Sequence, residues 1–275
     1  MRAGRLKTRQ YKVKRKGGWP LLLAAGVLLG AGLGSYLRGE WKAQTPARIS
    51  AEPAPTLTPE ESRMTETTLS LTGQTWYALQ LGVFDQPDGA RQQAESYRGR
   101  GAGGYVFRKE GYRVLAAAYT SRADAQAVMT QIKNQHGVDA SVVEIQQPQV
   151  TLRLTGQKAQ LTALTDACDA MEKLTAHLFQ LSSALDRREI QTPDIRKALQ
   201  SERDTVSVLN RQLAIRFPDP APEPVAALAQ LLSDSAQSLD AALNTQNVTR
   251  LSAQLKYCHL LCLCRMAAYA AGFGE

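Results

Sequence analysis

Few side chains in this sequence carry chemistry at the spacing that chemistry needs. The four cysteines are Cys168, Cys258, Cys262 and Cys264, the last three in a C-x3-C-x-C run. On a helix Cys258 and Cys262 stand one turn apart on one face, while Cys264 points elsewhere. Zinc sites draw paired ligands at tighter spacing from two segments, so no metal site is expected, and Cys258 and Cys262 read as small hydrophobes beside Leu255 and Leu261. His136, His177 and His259 fall on three separate elements without a neighbouring nucleophile and orienting acid. No Walker, Rossmann, nucleophile-elbow or HExxH pattern occurs, and nothing calls for a cofactor. What remains is a set suited to binding: Gln80, Tyr112 and Arg113, placed in stretches of alternating apolar residues. A sugar polymer offers hydroxyl and amide groups for hydrogen bonding and apolar ring faces for aromatic contact, which suits an amide, a guanidinium and a phenol. The same set on a sheet would also suit stacked RNA bases.

The elements that must position these residues appear twice, at an offset of 35 residues. Tyr77, Leu79, Leu81, Gly82, Phe84 and Ala90 recur as Tyr112, Val114, Ala116, Ala117, Tyr119 and Ala125. Each copy reads as an alternating strand, a polar turn, a helix with small apolar residues on one face, and a return strand. Two such units in 75–147 suit an α+β, ferredoxin-like βαββαβ fold, with a four-stranded antiparallel sheet and two helices on one face. The other face is expected to be open. Alternation turns Leu79, Leu81, Val114 and Ala116 towards the helices and leaves Ala78, Gln80, Gly82, Arg113, Leu115 and Ala117 outside. Gln80, Gly82, Tyr112, Arg113 and Leu115 are therefore the expected binding surface.

The first strand, Trp76-Tyr77-Ala78-Leu79-Gln80-Leu81-Gly82-Val83-Phe84-Asp85, resembles the aromatic-x-V-Q-V-G-[SA]-F pattern of the SPOR domain, the sporulation-related repeat. The third, Tyr112-Arg113-Val114-Leu115-Ala116-Ala117-Ala118-Tyr119, matches that family's second copy in part. The resemblance implies non-catalytic recognition of peptidoglycan glycan strands stripped of their peptide stems, at division or sporulation septa. It places Gln80 at the family's first-strand glutamine and Tyr112 near the aromatic that opens its third strand. Val83 stands where many members carry serine, which removes a hydroxyl from the groove, and Ala117-Ala118 replaces Gly-Pro. A degenerate domain kept for protein contacts, in a scaffold of the division or sporulation machinery, is the alternative.

The rest of the chain frames that module. Its eight N-terminal cations, with no acid among them, equal the net charge of +8, so the remainder is balanced. The excess sits beside an uncharged run at 19–37, whose helical length of about 28 Å approaches the roughly 30 Å of a bilayer core. Residues 1–18 then read as a cytoplasmic basic tail, 19–37 as a transmembrane helix, and everything beyond as extracytoplasmic. That topology disfavours nucleic acid as a partner. A cleaved signal peptide shares the basic and apolar order, but this run exceeds the usual 7 to 15 residues and lacks a clean Ala-x-Ala site. Residues 38–74, with Pro46, Pro53, Pro55 and Pro59 among Thr, Glu and Ser, read as a disordered linker. Residues 150–275 read as a bundle of about four helices, with a partner of its own to find. Leu161, Leu164, Cys168, Met171, Leu174, Leu178, Leu181 and Leu185 stripe the first helix. The second starts at Thr192-Pro193, and the others cover about 224–243 and 248–271. A disulfide from Cys168 to the last helix is left open by an oxidising location.

Overall fold

The computed structural model describes residues 58–218 and 220–273. The basic tail, the expected span at 19–37 and the first part of the expected linker lie outside the described residues. Among the described residues no helix is long and apolar enough to cross a membrane.

The duplicated segment forms β2 (Gln74–Phe84), α1 (Pro87–Arg98), β3 (Tyr105–Arg108), β4 (Tyr112–Tyr119), α2 (Arg122–His136) and β5 (Ser141–Gln147). Strand order is β3-β4-β2-β5 and every pair is antiparallel, as the βαββαβ reading requires. The internal repeat is visible in the packing. Ala90 on α1 and Ala125 on α2, equivalent in the two copies, are both fully buried against the same face of the sheet. Small side chains let both helices approach closely. Helix α2 is capped by the Ser121 hydroxyl, which accepts from the Asp124 amide, and ends at Gly137 in the left-handed region.

Two strands lie where none was expected. β1 (Met64–Leu71), inside the segment read as linker, pairs antiparallel with β6 (Val150–Gln157), inside the segment read as bundle. The period-2 pattern that drives them is short. Leu69 and Leu71 of β1, with Val150, Leu152 and Leu154 of β6, turn inward, while Thr68, Ser70, Thr151, Arg153 and Thr155 face out. The ribbon packs on the first bundle helix.

That bundle consists of α3 (Lys158–Asp186), α4 (Thr192–Arg216), α5 (Glu223–Leu243) and α6 (Val248–Ala271), close to the expected bounds. Every residue of the expected stripe on α3 is buried, and Ile195, Leu199, Val206 and Leu213 answer it from α4. The last helix differs from the others because it is apolar on two sides. Leu251, Leu255, Cys258, Cys262 and Met266 enter the bundle core. Leu260, Leu263, Cys264 and Ala267 leave it and pack on Trp76, Ala78, Leu115, Ala118 and Ile145 of the sheet. A helix apolar on both sides must be covered on both. Much of the sheet face expected to be open is therefore covered by α6, which contributes one side to the bundle core and the other to a separate apolar cluster on the sheet.

Candidate functional site

Strand alternation sets which side chains share the α6 side of the sheet. Opposed residues of antiparallel strands point to the same face, so the pairs Trp76 with Ile145, Ala78 with Val143, and Gln80 with Ser141 and Leu115 lie there, followed by Val83 and Phe107, both opposite Arg113. Helix α6 covers the first part of this series. At the far end the surface is polar and accessible. The Gln80 amide donates to Ser141 Oγ at 3.1 Å and accepts from Arg113 Nη1 at 2.7 Å. Arg113 also donates through Nε to the Lys109 carbonyl at 2.9 Å and pairs with Glu110 at 3.4 Å. One hydrogen-bonded line thus runs across the sheet from β5 through β2 and β4 to the β3–β4 turn. That turn is shaped by positive φ at Glu110 (48°) and Gly111 (106°). Val83, 49% exposed, and half-buried Phe107 lie on either side of Arg113 and give the line apolar shoulders.

Of the expected surface, Gln80 and Arg113 are brought together. The other expectations are corrected: Gly82 lies opposite Val114, which is buried under α1, and so belongs to the helix side of the sheet, and Ala78 is buried beneath α6. Leu115 is fully buried in the cluster beneath α6 rather than exposed. Tyr112 precedes Arg113 in the strand, so it must face the other way, and it packs beside Phe84, Tyr97 and Val106 around Ala90, Ala94 and Val114 under α1. Ala117, also expected outside, is buried, because irregular β2–β4 register between Ala78 and Gly82 breaks simple alternation. Phe107 and Ser141 were missed. Phe107 lies on a strand too short for periodicity to show, and Ser141 was invisible until β5 was paired in register with Gln80.

The α6 contact carries its own polar groups. Lys256 Nζ, almost fully buried, reaches Asp186 Oδ2 of α3 at 2.8 Å, Ser252 Oγ at 2.8 Å and the carbonyl of Gly101, in the α1–β3 loop, at 2.9 Å. Arg98 donates to the carbonyls of Gly103 and Gly104 and lies 4.3 Å from the centre of the Tyr257 ring. Gly103 is required by proximity: a Cβ there would meet the Ala116 carbonyl at 2.9 Å and Leu260 Cδ1 at 3.1 Å. His259 sits between Trp76 and Phe179, with ring centres 4.8 and 5.6 Å away. Its Nε2 is buried without a hydrogen-bond partner among the described residues, and burial drives its pKa down to about 3. Burial also raises the Tyr105 phenol and the Cys264 thiol on this contact.

Trp76, Leu115, Ile145, Leu260 and Leu263 are all buried here. At about 2 kcal/mol for each large side chain, the contact is worth on the order of 10 kcal/mol. That is comparable to the net stability of a whole domain.

The cysteines do not cross-link. All four are free and buried, Cys258 beside Ser238 at 2.9 Å and Cys262 beside Ser235 at 3.5 Å, with both thiols pushed up to about 12 by burial. Cys258 and Cys262 act as small packing residues between α5 and α6, while Cys264 packs on the sheet.

No curated protein and no solved structure matches the chain. The SPOR domain family does match it, over residues 73–144, which begin just before β2 and end within β5. SPOR domains are non-catalytic modules that bind peptidoglycan at division septa. The sheet with its two helices, the Gln80–Arg113 line included, is thus the SPOR domain of this chain.

Proposed function

We propose that this chain is a membrane-anchored, non-catalytic protein that recognises peptidoglycan glycan strands at division or sporulation septa. In this reading residues 19–37 cross the membrane with the N-terminus in the cytoplasm, and the SPOR domain and bundle work outside. The family match carries the ligand class, and the Ser141–Gln80–Arg113 line offers the amide, hydroxyl and guanidinium groups that sugar hydroxyls and N-acetyl groups would engage. The full chain should co-sediment with purified sacculi, more strongly after an amidase has removed the peptide stems. Gln80→Ala should weaken that binding with no change in thermal unfolding. Equal binding by parent and variant would remove Gln80 from the surface, and no binding by either would remove the glycan reading.

A second reading is supported by the covering of Leu115 and Trp76 by α6. A SPOR domain whose apolar face is filled from within its own chain could serve as a scaffold of the division or sporulation machinery. Septal placement that survives loss of sacculus binding would favour it.

A further inference from the structure

We infer that α6 is a permanent occupant of the sheet and that the chain takes its ligand only at the uncovered end, as a short stem-free glycan segment lying across the strands. This rests on the glycan-binding reading above and narrows it. Three observations carry it. The contact between α6 and the sheet is core rather than lid: Trp76, Leu115 and Leu260 are nearly or fully buried in it. The opposite side of α6 is equally buried in the bundle, so the helix could leave the sheet only by carrying Leu260, Leu263 and Ala267 into water. Gly103 and Lys256 fix its position on the loop beside the sheet. What stays accessible is a strip one or two residues deep along each strand. Across four strands it is about 14 Å long. Phe107, Arg113, Val83, Gln80 and Ser141 supply its apolar and polar contacts. A strand running lengthwise along the sheet would collide with α6, whereas a short oligosaccharide across it would not.

The test compares stem-free glycan fragments of two lengths, a tetrasaccharide and a much longer strand, as competitors for sacculus binding by the full chain. A Trp19→Phe/Trp41→Phe variant leaves Trp76 as the sole tryptophan for iodide quenching. On this inference the two fragments compete within about threefold of one another, a gap that extra binding registers on the longer strand explain. Trp76 then remains unquenched with saturating long strand. A gain of about tenfold or more with length, or Trp76 becoming quenchable when the long strand binds, would overturn it. If neither fragment competes, the glycan reading fails and the footprint fails with it. A quenchable Trp76 in the ligand-free chain would instead refute α6 as the occupant.

Discussion

His259 converts the contact between helix and sheet into a pH-dependent stability. Its pKa in the folded chain is lowered from 6.5 to about 3 by burial, and no charged neighbour contributes to the shift. Between those values the unfolded chain holds a proton that the folded chain refuses, so the stability this residue supports is complete above pH 6.5 and falls as the pH drops towards 3. Each pH unit in that window costs about 1.4 kcal/mol, so going from pH 7 to pH 5 removes about 2 kcal/mol. Every other ionisable group is shared with a His259→Leu chain, so the informative quantity is a difference between the two chains. Urea unfolding followed by tryptophan fluorescence at pH 7.5, 6 and 5 should show the parent losing about 2 kcal/mol more than His259→Leu. Parallel losses in the two chains would mean that the imidazole takes up its proton while folded. It would then be in water rather than between Trp76 and Phe179, and the placement of α6 would be refuted.

Further consequences follow from the same contact. Gly103→Ala forces a Cβ to within 2.9 Å of the Ala116 carbonyl and should destabilise the chain by about 1 to 3 kcal/mol, read as a lower melting temperature. Lys256→Met removes the cation from a nearly buried pair and leaves Asp186 facing an apolar side chain. About 3 kcal/mol should be lost in urea unfolding, with partial recovery on adding Asp186→Leu. Tyr112→Ala should lower stability through lost packing under α1 yet leave sacculus binding at the parental level. A binding defect without a stability defect would return Tyr112 to the ligand surface.

The internal repeat was legible because small and apolar residues recur at fixed offset, and Ala90 and Ala125 pack as equivalents. The bundle helices were legible because first-turn prolines mark the starts of α4 and α5 and a single stripe marks α3, although Thr192, expected to cap α4, lies inside the helix and Gln191 holds the cap position without a side-chain hydrogen bond. Two kinds of information were not local enough to read. Leu260, Leu263 and Ala267 form a second stripe on α6, and Cys264 was already seen to point away from Cys258. A stripe, however, states only that a face needs covering. Its partner, the sheet, lies more than 100 residues earlier. The β1–β6 ribbon failed for a different reason: threonine-rich strands share their composition with linkers, and only the Leu69, Leu71 alternation separates them. The position of Tyr112 follows from alternation alone. The residue cannot share a face with Arg113, its immediate neighbour on one strand.

Cysteine reactivity in the unmodified chain tests the closed sheet face most directly. Cys258 and Cys262 face the bundle core, whereas Cys264, on the same helix, faces the sheet. Alkylation of the native full chain with iodoacetamide, quantified peptide by peptide, should find Cys264 as slow to react as Cys258 and Cys262, with all three becoming fast together in urea. Rapid alkylation of Cys264 while Cys258 and Cys262 stay protected would show α6 seated in the bundle with its other side in water, and would contradict the account.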